Sequence, residues 1–176
     1  MVQTKWVLDP SHSEIQFKVK HLMITTVTGY FKSFDATATT DGDDFTKGGI
    51  SFDADINSID TNNEQRDGHL KSPDFFDAPN HPKMTFSNGK LTGSGDEYTL
   101  HGDLTIRGNT KPVQLKVEYG GIAQDPYGQT KAGFTLNGKI SRKEFGLTWD
   151  AVTEAGNVVV SDDVRINAEI QLVKQG

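Results

Sequence analysis

The feature that most constrains the fold is a two-residue alternation of apolar and polar side chains that recurs along the chain. Ile15, Phe17 and Val19, for example, alternate with Gln16 and Lys18. The same alternation returns over residues 50–57, 98–107, 113–119, 134–140 and 164–172. Successive side chains of a β-strand point to opposite faces, so each segment predicts a strand with one buried and one solvated face. Strands of this kind are typical of antiparallel sheets.

Turn sequences such as Asp41-Gly42, Asn88-Gly89 and Gly108-Asn109 separate these segments and predict short connections between strands. Some strands are predicted to be long, notably residues 14–21, 96–107 and 158–173. Long strands on a chain of 176 residues favour a closed barrel, because closure removes exposed sheet edges. We therefore predict an all-β protein, an up-and-down antiparallel barrel of about eight strands, forming one domain over residues 1–176.

One stretch, SIDTNNEQRDGHLKSPDFF over residues 58–76, interrupts the alternation. Thr61 and Glu64 have the spacing of a capping box, which predicts a short helix from Thr61. Ser72 followed by Pro73 predicts a second helix start. The sequence thus predicts a short helical insertion near residues 61–77 that covers one end of the barrel.

Composition excludes several classes of function. The net charge of −6, without a basic run, argues against a nucleic-acid partner. The absence of cysteine excludes disulfides and thiolate chemistry. No apolar run approaches the length of a membrane span, so no integral membrane segment is predicted. The first residues contain no apolar signal region, so we expect a cytoplasmic protein, or a periplasmic or secreted one whose signal has been removed.

No catalytic or metal-binding signature occurs. The five histidines show no metal-ligand spacing, and the chain contains no nucleophile elbow or phosphate-binding loop. The charged cluster Arg66, Asp67 and His69 fits helix capping and ion pairing better than catalysis. No cofactor and no metal is predicted. The phenylalanines at inward positions fill a core or line a cavity, because a barrel of about eight strands can do either.

Several segments together resemble the YceI-like proteins. They are WVLDPSHSEIQFKVKHL, VTGYFKSFD, SIDTNNEQRDGHLKSPDFFD, HPKMTF, GDLTIRGNTKPV and SRKEFGLTW, in this order and over nearly the whole chain. The resemblance implies a lipocalin-like barrel and a homodimer. It also implies a non-catalytic carrier that holds a long-chain isoprenoid or similar amphiphile in an elongated tunnel. Ligands of this family include polyprenyl chains, quinone-type lipids and fatty amides.

Strand parity and the resemblance together suggest which residues bind the ligand. The side chains expected to line the tunnel are Phe17, Val19, Phe52, Ile56, Phe76, Met84, Phe86, Leu104, Phe134, Leu136, Phe145 and Trp149. His21, Arg66 and Arg142 are expected to meet the head group at its mouth. Arg66, Asp67 and His69 also form the family motif, where they contact the head group or anchor the helix.

Two alternatives stay open from the sequence. An enzyme acting on a bound lipid or small molecule would use Arg66, Asp67 and His69. A barrel with a solid core would serve a stress or assembly role and hold no ligand.

Overall fold

The computed structural model describes residues 3–150 and 159–175 and contains one antiparallel sheet and one α-helix. The elements are β1 (Gln3–Leu8), β2 (Glu14–His21), β3 (Thr25–Phe31), β4 (Phe34–Asp41), β5 (Asp44–Asp55), β6 (Ile59–Asp60), α1 (Glu64–Lys71), β7 (Lys83–Ser94), β8 (Glu97–Ile106), β9 (Asn109–Gln124), β10 (Thr130–Ser141) and β11 (Asp163–Lys174).

The sheet closes into a barrel because β1 pairs with both β4 and β11. Some consecutive segments follow one another at the same position of the barrel wall. These pairs are β1 with β2, β3 with β4, and β5 with β6. The eleven segments therefore occupy eight positions, and neighbours in the chain are neighbours in the wall. The predicted all-β, lipocalin-like, up-and-down antiparallel barrel is confirmed.

The break between β1 and β2 follows from local turn chemistry. Asp9 caps a 3-10 turn over Pro10–His12, and its carboxylate accepts a hydrogen bond from the Ser11 amide at 3.1 Å. The turn lets one long strand serve two partners, because the first part of β11 pairs with β2 and the last part with β1.

The two ends of the barrel differ. The closed end carries the β4–β5, β7–β8 and β9–β10 turns, and the helix end carries α1, the β2–β3 turn and the connection from β10 to β11. At the closed end the Trp6 indole is fully buried and donates to the Thr40 hydroxyl at 2.9 Å. The ring of Phe45 lies beside it, 4.9 Å between centroids, so large aromatic groups fill this end.

The helical insertion is present, but its predicted details were wrong. The N-cap of α1 is Asn63, whose side-chain oxygen accepts from the Arg66 amide at 3.0 Å, and not Thr61. Asn62 adopts a left-handed backbone (φ 66°) and delays the helix start by two residues. No second helix begins at Ser72, because the amides that follow Pro73 close successive turns onto carbonyls of the α1 end, such as that of Leu70.

Candidate ligand-binding cavity

The barrel interior contains two cavities that share part of their lining. The upper cavity, at the helix end, has a volume of about 300 Å³, and the lower cavity, toward the closed end, about 130 Å³. Ile15, Met84, Ile140 and Ile166 line both. We call these four apolar side chains, which lie between the two cavities, the neck.

The lower cavity is apolar throughout. Six of the residues predicted to line the tunnel line it, namely Phe52, Met84, Phe86, Leu104, Phe134 and Leu136. Thr37 is the one lining residue with a polar side chain, and its hydroxyl is bonded to that of Ser51 at 2.8 Å. A polar ligand group placed here would lose its hydrogen bonds to water without replacement, so the lower cavity suits a hydrocarbon chain.

The upper cavity combines an apolar wall with a basic rim. The predicted residues Phe17, Val19, Phe76, Phe145 and Trp149 line its wall together with Met84. The charged or titratable side chains along it are Lys20, His21, Arg66, His69 and Arg142. None of the described lining residues is an aspartate or glutamate. Because Lys20, His21 and Arg66 are also exposed, they mark the mouth.

Two close contacts between a ring and a glycine shape the cavity walls. A Cβ atom on Gly29 would lie 2.2 Å from the Phe17 Cζ atom, and one on Gly102 would lie 2.2 Å from the Phe86 Cζ atom. Each ring therefore lies against bare backbone of a neighbouring strand, where any side chain would displace it. Phe17 belongs to the upper cavity and Phe86 to the lower one.

Arg66 and Asp67 fasten α1 to the strand before it. The Asp67 carboxylate accepts from the Thr61 amide at 2.8 Å and from the Thr61 hydroxyl. That hydroxyl oxygen accepts from the Arg66 Nε atom at 2.8 Å. Charge-assisted bonds of this kind hold a helix end strongly. Asp67 therefore has an anchoring position, and Arg66 both anchors α1 and lines the upper cavity.

His69 fastens the other end of α1. Its Nε2 atom lies 2.9 Å from an Asp74 carboxylate oxygen. Its ring stands edge-on to Trp149 and Phe75, with centroid distances of 4.8 and 5.1 Å. Asp67 and His69 thus have different partners.

Arg142 is buried, and its guanidinium donates to four backbone carbonyls of the described residues. Nε donates to Ser161 at 2.8 Å, Nη1 to Leu147 at 2.6 Å and Trp149 at 2.7 Å, and Nη2 to Val160 at 3.2 Å. Burial lowers the pKa of the guanidinium, while Asp150 and Asp162 act in the opposite direction. Arg142 therefore ties Leu147 and Trp149, which follow β10, to Val160 and Ser161, which precede β11, beside the upper cavity.

Of the residues expected to line the tunnel, Ile56 alone lies outside both linings. It belongs to the 3-10 turn over Ile56–Ser58 and is buried in the core. Other lining residues were not predicted, among them Leu70 and the neck residues Ile15, Ile140 and Ile166. The neck residues share the inward parity of their strands, so the alternation could have identified them.

Within residues 3–150 and 159–175, no cluster of three or more histidine, aspartate or glutamate side chains could hold a metal ion. No helix in the same ranges is long and apolar enough to cross a membrane.

Comparisons with known proteins agree on the family. The family model for the YceI-like domain matches residues 6–172. A UPF0312 protein of Staphylococcus epidermidis is 39% identical over 169 residues, which are 96% of each chain. The crystal structure of a Campylobacter jejuni YceI protein superposes with a TM-score of 0.76 at 34% identity, over 89% of this chain and 90% of that one.

A more distant structure shows the same fold. It is a polyisoprenoid-binding domain from Saccharophagus degradans, with a TM-score of 0.69 at 16% identity, over 97% of this chain and 98% of that one. The family model spans nearly the whole barrel, from Trp6 at the closed end to Leu172 in the last strand. The chain belongs to the YceI-like family.

Proposed function

We propose that this protein binds a long-chain isoprenoid or similar amphiphilic lipid, such as a polyprenyl chain, a quinone-type lipid or a fatty amide, without transforming it. The observation that carries the proposal is the change in polarity between two neighbouring cavities that share four lining residues. The lower cavity is apolar and the upper cavity ends at a basic rim. The fold shared with a polyisoprenoid-binding domain supports the same class of ligand.

The tail would occupy the lower cavity and the neck, with the head group at the mouth. Burying a hydrocarbon chain contributes about 0.8 kcal/mol per methylene, which the cost of ordering the chain partly offsets. Such a ligand needs few polar contacts. Lys20, His21 and Arg66 are exposed basic side chains of the lining, and they would contact the head group.

The proposal assigns Arg66, Asp67 and His69 to anchoring α1 and not to catalysis. Their hydrogen bonds go to Thr61 and Asp74, within the same segment of the chain. We expect no lipid turnover by the wild type, and we expect His69→Ala to weaken the packing of α1 against Trp149 and to change ligand release. Loss of a measurable lipid turnover in this variant, with binding intact, would favour an enzyme.

We also propose that the protein is a homodimer, as its family membership implies. Light scattering coupled to size-exclusion chromatography measures the mass directly. A mass of one chain at micromolar concentration would contradict this part of the proposal.

Filling the lower cavity tests the placement of the tail. In Leu136→Trp a larger side chain enters the lower cavity, so the longest polyprenol that binds should become shorter while short polyprenols still bind. Asn137→Trp is the matched control, because the next residue on the same strand is exposed. The measurement is uptake of a polyprenol length series from detergent micelles. An unchanged length limit in Leu136→Trp, or no uptake by the wild type, would contradict the proposal.

A further inference from the structure

The turn between β2 and β3 presents apolar side chains to solvent. We call Leu22, Met23 and Ile24 the hairpin tip. Met23 is 58% exposed and Ile24 is 76% exposed. Within the described parts of the chain, the other exposed large apolar side chains are Ile122 and Tyr127, on the β9–β10 hairpin of the closed end. Nothing in the described residues covers the apolar surface of the tip.

The backbone of the tip is strained. Leu22 and Met23 have φ values of 53° and 60°, and the Ile24 amide donates to the His21 carbonyl at 3.1 Å. Two consecutive positive φ values are the arrangement of a type I′ turn, which asparagine and glycine adopt at least cost. The tip therefore holds large apolar side chains at positions where small residues would be more stable.

The tip is continuous with the mouth of the upper cavity. Lys20 and His21 line that cavity and directly precede the tip. The Leu22 amide donates to the carbonyl of Val159, another lining residue, at 2.8 Å. Whatever contacts the tip therefore also meets the opening of the cavity.

The basic side chains next to the hairpin tip indicate which kind of surface the tip contacts. The ionisable side chains along the upper cavity are basic, although the chain as a whole carries a net charge of −6. Lys20 has no ion pair among the described residues. Apolar side chains bordered by cations are the pattern of protein segments that insert into the interface of an anionic bilayer.

We propose that the hairpin tip inserts into the surface of an anionic lipid bilayer and brings the mouth of the cavity to the membrane. This inference rests on the proposed lipid-binding function, because a tail that is insoluble in water would then pass directly between the bilayer and the cavity. Insertion would also bury the side chains whose exposure the fold does not explain.

Sedimentation with vesicles tests the inference. The variant Met23→Ser/Ile24→Ser is compared with Ile122→Ser/Tyr127→Ser, which removes the exposed apolar side chains of the opposite end. Vesicles of phosphatidylcholine with phosphatidylglycerol are compared with vesicles of phosphatidylcholine alone. We expect the wild type and the control variant to bind the anionic vesicles. The affinity of the tip variant for these vesicles should be at least about tenfold lower.

A second variant separates insertion from folding. Met23→Gly relieves the positive φ and removes one apolar side chain, so its thermal stability should rise while its vesicle binding falls. Equal vesicle binding by all variants, or none by the wild type, would overturn the inference. A tip variant that turns a dimer into a monomer would also overturn it, because the tip would then be a contact between two copies.

Uptake of polyprenol from detergent micelles, measured in parallel, keeps the two proposals apart. If the wild type takes up polyprenol but does not bind vesicles through the tip, the inference fails and the proposed function stands. If the tip binds vesicles but the cavity takes up no polyprenol, the proposed function fails and the tip remains a membrane contact.

The absence of cysteine provides an independent readout. A polarity-sensitive fluorophore is attached to Thr25→Cys, beside the tip, or to Gln129→Cys, at the closed end. Anionic vesicles should shift the emission to the blue at position 25 and leave position 129 unchanged. The reverse pattern would place the membrane contact at the wrong end and overturn the inference.

Discussion

The lower and upper cavities lie within one barrel, yet their walls are closed in different ways. Around the lower cavity, backbone hydrogen bonds close the wall, including the ladder between β1 and β11. Around the upper cavity, β3 pairs with β6 at only two residue pairs, Tyr30 with Asp60 and Phe31 with Ile59. The helix α1 and the described residues on either side of 151–158, such as Trp149 and Val160, complete the wall there, and side chains hold them.

This difference explains the polarity of the interior. A wall of paired strands satisfies its own backbone groups, so its inward side chains are free to be apolar. A wall of loops and a helix needs polar side chains for its backbone, and Arg142, Asp67 and Arg66 provide them. The charge of Arg66 at the mouth therefore has a structural reason, and that same charge is available to a head group.

Removing Arg142 should have the largest effect. Arg142→Met leaves the carbonyls of Leu147, Trp149, Val160 and Ser161 without this donor, and we expect a loss of about 3–5 kcal/mol in the free energy of unfolding. The control Lys143→Met breaks an exposed pair with Asp150 and should cost under about 1 kcal/mol. Urea titration followed by tryptophan fluorescence measures both. Equal losses in the two variants would contradict the positioning role of Arg142.

Enlarging the lower cavity toward the closed end should have the second-largest effect on stability. Phe134 stacks on Tyr119 at 5.2 Å and meets Phe45 edge-on at 5.0 Å. Phe134→Ala should cost about 3 kcal/mol and extend the lower cavity, so that longer polyprenols bind. Thermal unfolding and the length series are the measurements. A destabilised variant with an unchanged length limit would show that tails do not reach Phe134.

Replacing Arg66 distinguishes anchoring from head-group binding. In Arg66→Ala the bonds to Thr61 are lost, and we expect about 1 kcal/mol less stability, a retained fold and weaker lipid binding. Arg66→Lys keeps the charge and loses the Nε bond, so it should lose stability but retain more of the lipid affinity. A folded Arg66→Ala with unchanged lipid affinity, or an Arg66→Ala that unfolds and loses its ligand with the fold, would assign Arg66 to anchoring alone.

The smallest effect on stability should come from breaking an ion-pair cluster at the closed end. The hydrogen bond from Lys131, 2.6 Å from Asp9, holds the pKa of the Asp9 carboxyl well below its usual range, despite the opposing effect of desolvation. Hydrogen bonds from His12 and Ser11 add to this lowering. A carboxyl with a lowered folded-state pKa stabilises the fold above its unfolded value, about 3.9, and loses that contribution as the pH falls further.

Asp9→Asn should therefore lower stability at pH 7 and flatten the dependence of stability on pH below about 4. Urea titration across the acid range measures it. An unchanged acid dependence would mean that the lowered pKa of Asp9 contributes little to folding.

Much of the fold could be predicted because alternation is a local property. Strand β2 has the predicted bounds, and β8 lies within one residue of them at each end. Strand β11 begins at Asp163, whereas the prediction began at 158, which lies outside the described residues. Inward parity also placed Phe17 and Phe134 in the cavity linings.

The rest depends on contacts between distant residues. Thr61 and Asn63 are both good N-cap residues, and the choice falls on Asn63 because Thr61 is held by Asp67 and Arg66. No local pattern indicates that Arg142 is buried, since its partners include Val160 and Ser161, 18 and 19 residues further along the chain. The neck between the cavities likewise arises only when strands far apart in the chain meet across the barrel.

Native mass spectrometry of the freshly purified protein, followed by organic extraction and identification of the lipid, addresses the ligand directly. We expect a stoichiometric mass above that of the polypeptide, which solvent releases as a long-chain isoprenoid or similar amphiphile. A bare polypeptide mass, in a protein that also takes up no added polyprenyl lipid, would contradict the proposed function.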